Sequence, residues 1–523
     1  MQDPAGNLGV AAAADWVLIL PVVLSLGGAA LLLMLARVRA AQAPIALLVV
    51  AAVAACDLEL FRRVMSEGPL AMTMGNWLPP FGISFTADVL GAAFALIASA
   101  ITFLVLVYAQ VEEPGRDGTQ GFHALVLLLL AGVSGSFLTG DLFNLYVWFE
   151  VLLIATFALL VLRGRNIELD ATVKYGFLNL LATTFFLIAL GLLYGQLGTL
   201  NMADIARLAP TADPAAMTPT AGLLLLAFGM KAAAFPVNAW LPAAYHAPSP
   251  AVSSLLAGLP TKVGVYALIR VLAGLMPLSG GALHMPLVAI AVATLLIAPL
   301  GAIAETNLRR ALGFLVIGGI GAAVAGLAAG GSTGLSGAAV YVVHAMATMT
   351  ALYLVAGLVE RISGETDTRR MGGIYGANSA LSVLFLVLIL GVAGVPPFLG
   401  FWPKLLLVEA GLGTAGAGAM GPLLAGALLL NALLTLIAGT RIWSHVFWRA
   451  GPIGALAELP NPALRPFSRA ELGFGLGAAA LLTAAVAVAG LWPNLLLEAG
   501  RIAAADLLDP SRYIAAVGLE TGP

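Results

Sequence analysis

Cysteine is almost absent from this chain of 523 residues, because Cys56 is the only one. A disulfide needs two cysteines, and cysteine-ligated zinc sites and iron–sulfur clusters need several, so the sequence excludes all three within this chain. The chain also lacks a phosphate-binding loop and a dinucleotide-binding fingerprint in a strand–turn–helix setting. We therefore predict no cofactor and expect the energy for any work to come from ion gradients or from partner subunits.

Charged residues are scarce as well, at 10% of the chain, whereas hydrophobic residues make up 61%. This composition predicts an all-α polytopic membrane protein in a lipid bilayer rather than a soluble domain. The 60 glycines are typical of closely packed membrane helices. A net charge of −2 gives no reason to expect a nucleic-acid partner.

Lysine is the third scarce residue: Lys174, Lys231, Lys262 and Lys404 are the only four, and each lies within a long apolar stretch. The arginines fall in predicted loops or at segment ends. A lysine at the centre of a bilayer costs roughly 2.5–3.5 kcal/mol on insertion scales. Lysine can lose its proton on burial and arginine cannot, so this partition predicts titratable amines inside the membrane and a path for protons.

The hydrophobic residues form about fourteen stretches of the length that a helix needs to cross a bilayer. They lie near 13–36, 42–63, 84–109, 121–139, 142–162, 170–194, 219–240, 249–273, 285–304, 309–330, 336–359, 379–410, 419–446 and 472–491.

Prolines interrupt the seventh and the twelfth segments, at Pro236 and Pro242 and at Pro396, Pro397 and Pro403. Proline breaks the helical hydrogen-bond ladder, and membranes tolerate the freed carbonyls only against protein or a water-filled cavity. Interruptions in matching positions are typical of inverted-repeat transporters. We predict two inverted five-helix repeats, formed by segments 4–8 and 9–13. The predicted division is 1–120 for segments 1–3, 121–273 and 285–446 for the repeats, and 447–523 for the last helix and tail.

The arginines predict an orientation in a cell membrane, because cytoplasmic loops collect positive charge. With both termini outside, fourteen arginines lie in inside loops and six in outside ones. The six outside arginines are Arg62, Arg63, Arg207, Arg270, Arg501 and Arg512.

Glu150 is a carboxylate near the middle of segment five. It is either a structural ion pair that holds two helices together or a proton-relay acid tuned by a nearby amine. Asp141 lies at the start of the same segment, where it is either a helix N-cap or part of the site.

Lys231 precedes the first interruption and Lys262 lies in the middle of segment eight. Between them, His246 lies in a predicted inside connection, as a solvated loop residue or as a point of proton entry. Lys174 is near the inner end of segment six with Asp170 four residues before it, a spacing that allows a local pair or snorkelling to water as readily as a pathway role.

His344 interrupts segment eleven, and Thr348 and Thr350 give it a polar neighbourhood that allows a relay as well as simple packing. Glu409, five residues after Lys404, is a possible exit-side or interfacial acid. The polar group that starts at Asp57 and ends at Arg63 is interpreted as the solvated end of segment two.

The run KAAAFPVNAWLPAAYHAPSPAVSSLLAGLPTKVGVYALIR resembles the signature of the antiporter-like subunits shared by respiratory complex I, membrane-bound hydrogenases and Mrp cation/proton antiporters. The runs GNWLPPFGISFTAD and TGDLFNLYVWFEVLLIATFALLVL are most similar to the D-type subunits of Mrp antiporters. The resemblance implies other membrane subunits as partners, and protons with sodium or another monovalent cation as the transported ions.

The resemblance also implies roles for five residues. Glu150 matches the family's glutamate in segment five, and Lys231 matches its partner lysine in segment seven. Lys262 matches the relay lysine of segment eight, His344 a histidine of segment eleven, and Lys404 the last ionisable residue of the second broken helix.

The chain departs from its relatives in one place, because they often carry a lysine four or five residues after that histidine, where Thr348 and Met349 stand here. A relay through this segment would have to use His344, threonines or water.

These features predict a proton-translocating subunit of a multisubunit Na⁺(cation)/H⁺ antiporter, not an enzyme. Two alternatives stay open: a proton-pumping subunit of complex I or of a hydrogenase, and a scaffold whose lysines serve helix packing. The sequence leaves the metal site unassigned, since it shows no dense cluster of mid-membrane oxygens for sodium.

Overall fold

The structure is a computed structural model that describes residues 15–75, 77, 81–112, 121–276, 281–413, 420–450 and 464–519. It is a bundle of helices with one two-stranded hairpin. The helices are α1 Leu20–Met34, α2 Arg39–Glu67, α3 Val89–Tyr108, α4 Phe122–Leu138, α5 Leu142–Leu160, α6 Asn166–Leu197, α7 Met202–Leu208, α8 Pro214–Ala232, α9 Trp240–Tyr245, α10 Pro250–Gly258, α11 Pro260–Ile269, α12 His284–Ala304, α13 Leu308–Ala329, α14 Gly331–Ser363, α15 Ile374–Ala377, α16 Ser379–Ala393, α17 Phe401–Leu412, α18 Gly421–Trp443, α19 Gly477–Leu491, α20 Asn494–Leu508 and α21 Ser511–Ala516. Short 3₁₀ turns lie at Asp15–Leu18, Ala109–Val111 and Ala209–Thr211, and π-helical turns at Arg270–Leu275, Ser444–Trp448 and Glu471–Leu476.

Within these residues, 11 helical spans are long and apolar enough to cross a membrane. Three shorter apolar helices, α1, α4 and α16, accompany them. The prediction of an all-helical, multi-pass membrane protein is therefore confirmed. The number of fourteen spans, the inverted repeats and the four-part division stay predictions.

Both predicted helix interruptions are present. Helix α8 ends at Ala232, and the chain passes through Ala233, at a φ of 62°, before α9 begins. Helix α16 ends at Ala393, and Gly394, at a φ of 85°, leads to α17. The prolines that follow each break cannot donate to a helical ladder, which keeps the two halves apart.

Segment eight, which the sequence predicted as continuous, contains a third interruption. Helix α10 ends at Gly258, and Pro260 starts α11 after Leu259. Because Pro260 has no N–H group, the carbonyl four residues earlier loses its helical donor and the helix kinks.

Loops at each end of the bundle identify two faces. At the hairpin end, strand β1 (Leu70–Thr73) pairs antiparallel with β2 (Ser84–Ala87), and further bridges join Phe85 to Thr139 and Asp141 to Asn201. Tyr513 of α21 reaches the same end, because its hydroxyl lies 2.7 Å from that of Thr86. At the opposite end, Asn307 bridges Asp367.

Helix α14 is the centre of the bundle. Its most apolar window is entirely buried, whereas only 28% of the corresponding window of α2 and 44% of that of α6 are buried. Helix α14 packs against α10, which precedes the third interruption, and against both halves of the second broken segment, α16 and α17. It therefore connects two of the three interruptions.

Candidate functional site

Three of the four lysines are buried next to the three interruptions. Lys231 lies in the last turn of α8, Lys262 in the first turn of α11 and Lys404 in the first turn of α17. Their exposed fractions are 5%, 2% and 6%. An amine at such depth needs a partner, and a helix break is a place where backbone carbonyls lack their helical donors.

Lys404 takes its partners from the backbone. Its Nζ donates to the carbonyls of Val392 and Ala393, both at 2.9 Å, at the end of α16 across the break. The last carbonyls of a helix carry the negative end of its dipole and have no donors within the helix. The second broken segment therefore supplies a fixed site for an ammonium group.

Lys262 is held in the same manner, because its Nζ donates to the carbonyl of Ala257. That carbonyl lies just before the kink that Pro260 imposes. Ala257 lies in the last turn of α10, where carbonyls have no donor within the helix, so the interruption of segment eight supplies the acceptor that Lys262 uses.

Lys231 differs from the other two, because no hydrogen-bond acceptor for its Nζ lies among the residues that the structure describes. The ammonium group instead lies 4.7 Å from the centroid of the Phe149 ring, a cation–π distance. Glu150, the next residue of α5, acts on it electrostatically. The two side chains are not in direct contact, since no ion pair within 4.0 Å joins them in the described part of the chain.

Glu150 has an unsatisfied carboxylate oxygen. Its Oε1 is buried and has no hydrogen-bond partner among the described residues. Phe149, Phe186 and Phe228 pack ring against ring beside it, at centroid distances of 5.9 Å and 4.7 Å. Glu150 and Lys231 therefore interact electrostatically, without a direct ion pair among the described residues, in an apolar setting.

His344 lies beside the second break, with an exposed fraction of 1%. Its Nδ1 is 3.1 Å from the hydroxyl of Thr348, and its ring faces Gly400, where an added Cβ would lie 2.8 Å from Nε2. The histidine also interacts electrostatically with Lys404. The structure thus brings His344, Thr348 and Lys404 together.

Thr350 lies on a different face of α14 from His344 and points towards α10. Its hydroxyl donates to the carbonyl of Met346 at 2.8 Å and lies 3.4 Å from that of Ser254 in α10. A Cβ added at Gly258 would lie 2.3 Å from this hydroxyl. Thr350 therefore contacts the kink of segment eight, and α14 separates Lys262 from the His344–Lys404 pair.

Four of the predicted site residues, Lys174, Glu409, Asp141 and His246, lie away from the three buried lysines. The expectation that all four lysines are buried is wrong for Lys174, whose side chain is 52% exposed and pairs with Asp170 at 2.5 Å. Glu409 is exposed on α17. Asp141 caps α5, because its Oδ1 accepts from the amide of Asn144 at 2.8 Å.

His246 lies in the connection after α9, at the opposite end of the bundle. Its Nδ1 is 3.0 Å from the carbonyl of Pro242. Burial lowers the pKa of His246 to about 4, although the hydrogen bond to Pro242 works against this shift. The histidine is therefore neutral at physiological pH.

Two arginines at segment ends are buried, which corrects the expectation that the buried cations are all lysines. Arg270 is 5% exposed and Arg309 8%. Arg270 pairs with Asp88 at 2.7 Å, and Arg309 pairs with Glu360 at 2.9 Å. The periodicity could have indicated Arg270, because it lies two helical turns after Lys262 on one face.

The prediction that Asp57 belongs to the solvated end of segment two is also wrong. Helix α2 continues to Glu67, and Asp57 is 0% exposed, with both carboxylate oxygens lacking hydrogen-bond partners among the described residues. Its position four residues after Val53 and three before Leu60 places it on the buried apolar face, which is the signal that could have identified it.

Comparison with known proteins gives the same family from sequence and from fold. Residues 139–429 match the family described as NADH:quinone oxidoreductase/Mrp antiporter, TM. The chain is 33% identical over 516 residues to the D-type Na⁺/H⁺ antiporter subunit of Bacillus subtilis, a match that covers 95% of this chain and 98% of the relative. It is 32% identical over 431 residues to the D-type subunit from Alkalihalophilus pseudofirmus, covering 82% of this chain and 86% of the relative.

Solved structures agree with these relatives. A chain of the Mrp complex from Dietzia sp. superposes with a TM-score of 0.88 at 29% identity, covering 98% of this chain and all of that one. A chain of respiratory complex I from Thermus thermophilus gives 0.78 at 25% identity, covering 94% of this chain and 99% of that one. On the full-length match at 33% identity, this chain belongs to the family of D-type subunits of Mrp Na⁺/H⁺ antiporters.

Proposed function

We propose that this chain is the proton-translocating subunit of a multisubunit Na⁺/H⁺ antiporter. The observation that carries the proposal is the placement of three buried lysines at three helix interruptions, with Glu150 facing the first of them. Relatives that match the chain over most of its length are named as D-type subunits of Na⁺/H⁺ antiporters.

The first step is a change in the distance between the carboxylate of Glu150 and the amine of Lys231, which decides whether the lysine keeps its proton. When the carboxylate approaches, its charge holds the proton on the lysine; when it withdraws, the apolar setting favours release of that proton. At an effective dielectric constant near 20, two unit charges about 6 Å apart attract by ~3 kcal/mol, which is about a hundredfold in a proton equilibrium. A short movement of one side chain is therefore enough to drive transfer.

The proton then passes from Lys231 to Lys262 and on to Lys404. Val263 and Gly264 follow Lys262 on α11, and Gly264 packs directly against the backbone of Lys231 and Ala232, which brings the two segments close together. Between Lys262 and Lys404, Thr350, Thr348 and His344 on α14 supply polar groups that face the two sites in turn. Water has to complete this connection, because no unbroken chain of side-chain hydrogen bonds links the two lysines among the described residues.

Other membrane subunits complete the transporter in this proposal. Sodium needs several hard oxygen ligands, and Glu150 is committed to Lys231. We therefore place the cation passage at least partly in partner subunits, in line with the matching chain of the multisubunit Mrp complex.

Sidedness in the plasma membrane follows from charge. Arginines such as Arg163, Arg165, Arg309 and Arg310 gather at the opposite end, which we assign to the cytoplasm, so that the hairpin end faces outside. The terminal residues 1–14 and 520–523 lie outside the described residues, and we assign both termini to the outside. The matched breaks of segments seven and twelve support the inverted repeats 121–273 and 285–446 within the proposed division.

The alternative of a proton-pumping subunit of complex I or a hydrogenase is less well supported. The match to complex I has 25% identity, whereas the antiporter subunit matches at 33% over nearly the whole chain. The relay would be the same in either complex.

The test is cation-driven proton movement in vesicles that contain the whole complex. Lys231→Met removes the titratable amine and should abolish exchange, whereas Lys174→Met, an equal change at an exposed lysine, should leave exchange near the wild-type level. Equal exchange in wild type and Lys231→Met, at equal subunit content, would support the scaffold alternative instead.

A further inference from the structure

Arg270 continues the helix face on which Lys262 lies. Lys262, Tyr266 and Arg270 are spaced four residues apart along α11 and the π-helical turn that extends it. This spacing places the three side chains above one another, with Arg270 about 12 Å from Lys262 along the helix axis towards the hairpin end. A route from Lys262 to that end along this face passes Tyr266 and then Arg270.

Arg270 forms a buried polar cluster with Asp88 and Tyr266 on this face. Its guanidinium group pairs with Asp88: Nη2 donates to Oδ1 at 2.7 Å. Nη1 lies 2.7 Å from Oδ2, an ion-pair distance, although Oδ2 has no hydrogen-bond partner of suitable geometry among the described residues. Its Nε donates to the hydroxyl of Tyr266 at 3.3 Å, and that hydroxyl donates to the carbonyl of Phe137 at 3.0 Å. The side chains of Arg270 and Asp88 are 6% and 1% exposed.

The C-terminal helices cover the cluster. The ring of Tyr513 on α21 lies 5.5 Å from the guanidinium carbon of Arg270, and its hydroxyl lies 2.7 Å from that of Thr86 on β2. Asp506 of α20 is 3% exposed at the side chain and pairs with Arg512 at 3.2 Å. The charged groups that face the pair are thus Asp506 and Arg512, which balance each other.

We propose that Arg270, held by Asp88, is an electrostatic barrier that prevents protons on Lys262 from passing directly to the hairpin end. This inference rests on the proposed function of Lys262 as a proton relay. The barrier leaves Lys404 as the onward acceptor and so couples proton movement to the complete transport cycle.

Two physical properties suit Arg270 to this role. A guanidinium group keeps its proton at any physiological pH, so it cannot pass a proton on as a lysine or a histidine would. It also pairs with Asp88, the one carboxylate in contact with it among the described residues, so a proton beyond Tyr266 would reach this carboxylate only past the guanidinium charge. At an effective dielectric constant near 20, the positive charge of Arg270 lowers the population of a second positive charge about 12 Å away by about tenfold.

The experiment measures passive proton leak through the reconstituted whole complex, with a pH gradient and without alkali cations. Arg270→Gln removes the charge and frees Asp88, and we expect its leak to rise about tenfold over the wild type. Adding Lys262→Met to Arg270→Gln should return the leak to the wild-type level, because the path then lacks its inner proton carrier. The matched control is Arg207→Gln, which breaks an arginine–aspartate pair at the same end of the bundle, with Asp204, on α7; its leak should not change.

The outcomes separate a barrier from a structural ion pair. A wild-type leak in well-incorporated Arg270→Gln would overturn the proposal, and so would a leak that persists after Lys262→Met, since it would then arise from loosened packing. If Arg270→Gln does not assemble, Arg270→Gln combined with Asp88→Asn avoids a buried unpaired charge, and a wild-type leak from that variant would overturn the barrier equally. Failure of the proposed function is distinguishable, because sodium-driven exchange by the complex would then be insensitive to Lys262→Met alone.

Discussion

The two broken segments hold their lysines in different ways. In the first, Lys231 has an aromatic ring and a nearby carboxylate, that of Glu150, but no carbonyl acceptor among the described residues. In the second, Lys404 has two backbone carbonyls. A side-chain carboxylate can approach and withdraw, whereas carbonyls at a helix end are fixed by the fold. Similar interruptions thus leave one lysine beside a side-chain carboxylate and hold the other on two backbone carbonyls; under the proposed function, the first is the site that can switch.

The position of each lysine relative to its break explains the difference. Lys231 precedes its break, so its side chain leaves from the last turn of α8 and points into the bundle beside α5. Lys404 follows its break, and its side chain reaches back to the carbonyls that end α16. A side chain on an α-helix inclines towards the N-terminus of its helix, so only a lysine after the break can cap the preceding half.

Glu150→Gln should have the largest effect, because it removes the carboxylate that distinguishes the first broken segment from the second. The amide keeps the size of the side chain but cannot supply the charge that holds the proton on Lys231, and we expect cation-driven exchange to fall at least about a hundredfold. The measurement is proton movement in vesicles of the whole complex, with subunit content checked on gels. Glu409→Gln, at an exposed acid near the second break, is the control and should retain exchange; full activity in Glu150→Gln would disprove the switch.

Substitution of Lys404 tests the site formed by the two carbonyls. Lys404→Ala removes both the proton and the donor to two carbonyls, and we expect exchange to be lost. In Lys404→Glu, an ionised carboxylate would face the carbonyls of Val392 and Ala393 and be repelled, whereas a protonated one can donate a hydrogen bond to them. Residual exchange in Lys404→Glu should therefore increase as the pH falls, and a pH profile like that of the wild type would contradict carbonyl binding.

His344→Gln tests the connection between the two broken segments and should have an intermediate effect. Glutamine can keep a hydrogen bond to Thr348 but cannot carry a proton to Lys404, so we expect exchange to fall about tenfold, within the range of general acid–base contributions. Thr348→Val, which removes only the hydroxyl, is the companion variant and should lose less. Exchange rates of both are compared at saturating sodium, and a deeper loss in Thr348→Val would show that the hydroxyl, not the ring, carries the connection.

His246→Gln should have the smallest effect. The pKa of His246 is about 4 in the folded protein and 6.5 for an ordinary histidine, so this side chain is neutral between pH 6.5 and 8, and its replacement should leave the pH profile of exchange unchanged there. Because the unfolded chain binds the proton first, this histidine costs stability as the pH falls from 6.5 towards 4.

Thermal unfolding in detergent measures that cost. The glutamine variant should lose less stability than the wild type on acidification, and no difference between the two would contradict the lowered pKa of His246.

Prolines and lysines made the main features of this molecule predictable. Pro236 and Pro396 located two interruptions, and the apolar stretches around Lys231, Lys262 and Lys404 located three buried amines. Pro260 is also present in the sequence. A single proline in an apolar stretch is compatible with a continuous helix, so the sequence alone does not predict the kink at Leu259.

The partners of the lysines could not be predicted, because they depend on tertiary packing. The sequence paired Lys231 with Glu150, but it could not indicate the gap between them or the ring of Phe149 in that place. It also gave no reason to expect that Lys404 would be bound by carbonyls. The burial of Asp57 and Arg270 is not predictable from charge at a segment end, because a buried charge is indistinguishable from a solvated one until its helix face is known.

Helix α14 has a mechanical consequence for the transporter. Its 33 residues form one helix about 50 Å long, with no proline inside. Thr350, against the kink of segment eight, and His344, against the second broken segment, are six residues apart on it, about 9 Å along the axis. Because both residues lie on one unbroken helix, a displacement of α14 at the kink of segment eight would also displace it at the second broken segment, and the surroundings of both buried lysines would change together.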